Sequence, residues 1–88
     1  MQDLIIPIVN LNGTSRQELM QQLLDVKRAG EVLLDALTLA CPHGRDYQHL
    51  PTGSIQSAIA QHKARAKTVV DLVSEIEAIA VAIRKQSR

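Results

Sequence analysis

Eighty-eight residues hold one small domain; 45% of them are hydrophobic, yet Tyr47 is the sole aromatic. A formal charge of +1 argues against a bulk nucleic-acid binder, and the single cysteine, Cys41, excludes an internal disulfide framework. Any core is therefore Leu, Ile, Val and Ala, which suits helices packed on helices better than a β-sandwich.

Residues 1–13 open with the apolar run Leu4-Ile5-Ile6-Pro7-Ile8-Val9. Pro7 has no N–H to give a ladder, so an extended arm is expected, lying on a helix of this chain or of another subunit. Met1-Gln2-Asp3 lacks the basic start of a secretory signal. No apolar run reaches the roughly 18–20 residues of a membrane helix, so a cytoplasmic protein is expected.

A first helix is predicted over 14–41. Ser15-Arg16-Gln17-Glu18 reads as a capping box, with Thr14 an alternative cap one residue earlier. Leu19, Leu23, Val26, Gly30, Leu33, Leu37 and Ala40 then follow the alternating 4,3 spacing of a heptad seam. Pro42 ends it.

Residues 42–53 carry two prolines and two glycines and read as a connection rather than an element. A second helix is predicted over 54–86, capped by Thr52 or Ser54. Its seam is Ile55, Ile59, His62, Ala66, Val69, Val73, Ile76, Ala80 and Ile83. It outruns the first by about seven residues, roughly 10 Å of helix. An antiparallel hairpin pairs Ala40 with Ile55, Leu33 with His62, Gly30 with Ala66 and Leu23 with Val73.

Both helices carry more apolar surface than one seam uses. Met20, Leu24 and Leu34 widen one side of the first; Ala29, Val32, Ala36 and Leu39 widen the other. Ala58, Leu72 and Ile79 do the same on the second. A lone hairpin cannot cover stripes that wide. The expected fold is all-α: a single domain over 1–88, a two-helix hairpin with an apolar arm, assembling into a four-helix bundle or larger homo-oligomer.

Chemistry-bearing side chains gather in the connection. Cys41, His43, Asp46 and His49 match no zinc spacing, and Cys41 sits where a helix C-terminus disfavours the thiolate. No catalytic residue, metal or cofactor is assigned. Anion recognition fits better. His43-Gly44-Arg45-Asp46 supplies a turn with a guanidinium that grips phosphate at two points, and Tyr47 offers a ring for stacking. Asn12, Thr14, Ser15 and Arg16 make a similar helix-start cluster at the opposite end. An antiparallel pair of hairpins would bring the two clusters together in trans. For each segment alone, capping and solvated charge explain the same residues.

The hexapeptides Leu11-Asn12-Gly13-Thr14-Ser15-Arg16 and Pro42-His43-Gly44-Arg45-Asp46-Tyr47, separated by an amphipathic helix, resemble a group of small phage and prophage helical proteins of unknown function. The likeness spans most of the chain, and the two hexapeptides carry it. It implies a phage gene expressed in the host bacterial cytoplasm. Small helical phage oligomers that sequester nucleotide immune signals offer an analogy of architecture, without a shared motif.

The expected function is therefore non-enzymatic capture of a small phosphate-bearing ligand by a homo-oligomer. Two alternatives stand beside it. One is a structural or adaptor protein that binds a host or phage protein through its apolar faces. The other is a hairpin-dimer RNA binder using Lys63, Arg65 and Lys67. No DNA or membrane partner is expected.

Overall fold

The computed structural model describes residues 3–9 and 13–86. Ser15 starts the first helix, its Oγ accepting from the Glu18 amide at 3.1 Å, which satisfies one of the donors a helix start leaves open. Helix α1 spans Arg16–Leu39. Ser15→Ala is expected to lower stability by about 1 kcal/mol, read as a drop in the thermal midpoint. An unchanged midpoint would mean that water replaces the cap at no cost.

A 3₁₀ turn, Gly44–Tyr47, follows within the segment expected to be plain connection. Helix α2 runs Ser54–Arg84, 31 residues against 24 in α1. Gly53, not Thr52 or Ser54, is its N-cap. It sits at φ 93°, a conformation that side chains with a Cβ rarely adopt, and it offers α2 no side-chain cap. The two helices pack against each other as a hairpin, and no strand occurs among the described residues.

On α2 every expected seam residue, from Ile55 to Ile83, is at least half-buried. On α1 the seam is rotated from the expected one. Leu19, Leu23, Gly30 and Leu37 are covered, but Val26, Leu33 and Ala40 are exposed. Met20, Lys27 and Leu34 take the inner positions instead. The cause lies in α1 itself: it carries two overlapping 4,3 patterns, and only the one shared with Met20 and Leu34 faces α2.

The register differs as well. Gly30 lies against Val73 rather than Ala66, because a Cβ at Gly30 would stand 2.6 Å from Val73 Cγ2. That is two helical turns further along α2. The 3₁₀ turn accounts for the offset, since it packs on α2 and takes the place expected for the end of α1. His62 Nε2 donates to the Leu37 carbonyl at 2.6 Å, so the seam histidine ties α2 to the last turn of α1. That carbonyl also accepts from the Ala40 amide at 3.1 Å, so it takes one bond from each helix.

At the other end, the Gln86 side chain holds the N-terminal segment at two points. Its Oε1 accepts from the Val9 amide at 3.0 Å, and its Nε2 donates to the Pro7 carbonyl at 2.7 Å. The Arg16 guanidinium donates to the Gln86 carbonyl. These bonds hold residues 7–9 beside the end of α2 and away from the exposed Val26–Ala40 stripe of α1.

Ile83 is the sole fully buried side chain among the described residues. The chain exposes 7013 Å². A folded monomer of 9.7 kDa exposes about 5,100 Å² by the usual scaling of surface with mass. No helix among the described residues is long and apolar enough to cross a membrane.

Candidate functional site

The loop end is built by short-range bonds. The last turn of α1 closes through the Ala40 amide, which donates to the Ala36 and Leu37 carbonyls at 3.1 Å each. His43 then caps the 3₁₀ turn: its Nδ1 accepts from the Arg45 amide at 3.4 Å and its carbonyl from Asp46 at 3.0 Å. The Leu50 amide returns to Tyr47 O at 3.2 Å, and the Ser54 amide to Pro51 O at 3.1 Å. Each bond reverses the chain a little, and together they bring Tyr47 beside the start of α2.

An open groove of about 430 Å³ results, lined among others by Tyr47, Thr52, Gly53, Ser54, Ser57 and Gln61. Its floor is the first two turns of α2, the positive end of a 31-residue helix. Tyr47 is half-buried, while His43, Gly44, Arg45 and Asp46 are exposed on the turn that carries it. Ser57 and Gln61 were not legible as site residues from the sequence. They stand four apart on an exposed face of α2 that the turn borders, and that face is identifiable only once the turn is placed.

The second cluster is remote within one chain. Thr14, Ser15 and Arg16 sit at the far end of α1, about 36 Å from the loop at 1.5 Å per residue. Ser15 is engaged as a cap, and Arg16 is half-buried against the Gln86 carbonyl. Asn12 lies outside the described residues. The structure thus joins His43, Gly44, Arg45, Asp46 and Tyr47 in one place and sets Thr14–Arg16 in another.

The alternative basic set does not form one face. Lys63 and Lys67 share a side of α2, whereas Arg65 projects from the opposite side at 3.6 residues per turn. Lys67 is moreover paired with Asp71 at 2.8 Å. Among the described residues no three His, Cys, Asp or Glu groups stand close enough to hold a metal ion. A second open groove, about 530 Å³, runs between the helices on the side of Met20, Leu24, Lys27, Glu77 and Arg84. No family model, curated protein or solved structure matches the chain.

Proposed function

We propose that the chain is a non-enzymatic phage binding protein, a homo-oligomer of hairpins that captures a small phosphate-bearing ligand, with a nucleotide signal as the leading class. The observation that supports this reading is the groove joining Tyr47 to the start of α2. A helix start offers amide donors and positive potential to an anion. Ser54 and Ser57 add hydroxyls, and Arg45 on the adjoining turn adds a two-point phosphate grip. The phenol ring of Tyr47 gives a base or sugar an apolar wall. The oligomer is supported by the surface the hairpin leaves uncovered, about 1,900 Å² beyond a monomer of its mass.

The test is native mass spectrometry of gently purified protein, repeated after incubation with a pool of linear and cyclic nucleotides. A defined oligomer with a stoichiometric mass increment is expected. Arg45→Ala and Tyr47→Ala should each weaken retention about tenfold or more, the scale of one lost charge-assisted contact. An oligomer that retains nothing from the pool rejects ligand capture.

A second reading, an adaptor for a host or phage protein, is favoured by a different observation. Val32 and Leu39 are 68% and 89% exposed on the outer edge of α1, away from both α2 and the Tyr47 groove. Large apolar groups one above the other on a helix rim fit a helical partner. Pull-down of one defined protein, lost in Val32→Asp and Leu39→Asp variants that keep their oligomeric state, would establish it.

A further inference from the structure

We infer that a second copy of this chain seats on the face carrying Val26, Ala29, Leu33, Ala36 and Ala40 of α1 with Leu72 of α2, about a two-fold axis perpendicular to the helices at Leu33. This deepens the oligomer of the proposed function and rests on it.

The face is a second heptad stripe. From Val26 to Ala40 its spacing is 3,4,3,4, and every position is apolar. Val26, Leu33 and Leu72 are each about half exposed, at 45%, 50% and 51%. Such a stripe is the pattern of a helix partnered along its length. The occupant is not the N-terminal segment of the same chain, because Gln86 holds residues 7–9 at the far end. Two chains together expose about 3,800 Å² more than two folded monomers of this mass, within the roughly 2,000–5,000 Å² that obligate dimers bury.

The stripe is also self-complementary. An axis at Leu33 sets Leu33 against the partner's Leu33, Val26 against the partner's Ala40, and Ala29 close to the partner's Ala36. The paired alanines let the two α1 helices approach closely. On α2 the contacts of Gly30 with Val73 and Leu37 with His62 bracket the same height, between Arg65 and Leu72. Arg65 and Glu75 flank that height on this side of the hairpin, and the one ion pair among the described residues, Lys67–Asp71, involves neither. The axis brings Arg65 within one turn of the partner's Glu75, an opposite charge.

The same axis completes the site. Arg16 stands beside Gln86 in its own chain, and the axis maps that height onto Pro51 of the other. The partner's Thr14 and Ser15 thereby come level with the Pro51 end of the Tyr47 groove. Thr14–Arg16 and the Gly44–Tyr47 turn, remote in one hairpin, become neighbours between two.

Cysteine crosslinking of the full chain tests this. In a Cys41→Ser background, Leu33→Cys should oxidise to a covalent dimer, whereas Val26→Cys and Ala40→Cys should link only when mixed. The Leu33→Cys reaction should run at least about tenfold faster than that of the more exposed Leu39→Cys, since a dimer holds facing thiols at high effective concentration. Cysteine replaces each residue at modest cost in packing, so the variants keep the fold, as circular dichroism will verify. An oligomer in native mass spectrometry without the Leu33→Cys link overturns the face and leaves the oligomer standing. Val26→Cys linking to itself overturns the axis. A monomeric parent overturns both the inference and the oligomer it rests on.

Discussion

Replacing Ile83 with alanine should lower the unfolding free energy by about 2–5 kcal/mol, the range for emptying a buried aliphatic site. Ile83 is wholly buried, in the last turn of α2 and three residues before Gln86. Removing its branched side chain leaves a void where α2 and the N-terminal segment come together. Val81, two residues earlier and 38% exposed, is the matched control. Val81→Ala should cost clearly less, about 1 kcal/mol, because it removes fewer methyl groups and leaves no sealed void at a side chain that already meets water. Urea unfolding of both variants at one protein concentration decides it; equal midpoints would show that this end of the hairpin frays before the molecule unfolds.

Gly30→Ala should destabilise the hairpin although alanine is the better helix former. The propensity gain is about 1 kcal/mol. Against it stands a Cβ only 2.6 Å from Val73 Cγ2, and Val73 is β-branched, stiff at χ1 and unable to swing aside cheaply. Overpacking of this kind costs about 1–3 kcal/mol, so the net loss reaches up to about 2 kcal/mol. The contact itself is isolated by a double-mutant cycle. Gly30→Ala combined with Val73→Ala should be more stable than the two single losses predict, by about 1 kcal/mol or more. Strict additivity would place Val73 outside the reach of residue 30 and refute the register.

These two sites also show how far the sequence carries. The hairpin, the cap at Ser15 and the whole α2 seam were legible because each rests on local chemistry or an uninterrupted period. The α1 seam was half legible. Leu23, Gly30 and Leu37 belong to both overlapping stripes, and nothing in α1 alone says whether Leu33 or Leu34 turns toward α2. Lys27 in the half-buried inner row hid the correct choice, since a charged residue reads as solvent-facing although a lysine's apolar stem can line an interface. The register was not legible, because it depends on how Gly44–Tyr47 folds onto α2. The candidate site followed the same rule. Arg45 and Tyr47 stood out by residue type, whereas Ser57 and Gln61 acquire meaning only from that docked turn.

One buried side chain has a consequence for how the protein exists in a cell. A chain whose described residues fully bury only Ile83 draws little stability from a sealed core of its own. In the oligomer proposed above, folding and association become one equilibrium, and the folded fraction depends on how many copies are present. Dilution acts as a denaturant. A melting temperature for this protein is meaningful only beside the concentration at which it was taken, and should rise as that concentration rises. If the chain folds only on association, as the proposed oligomer implies, early copies in a cell would stay unfolded and open to proteases until synthesis passes a threshold.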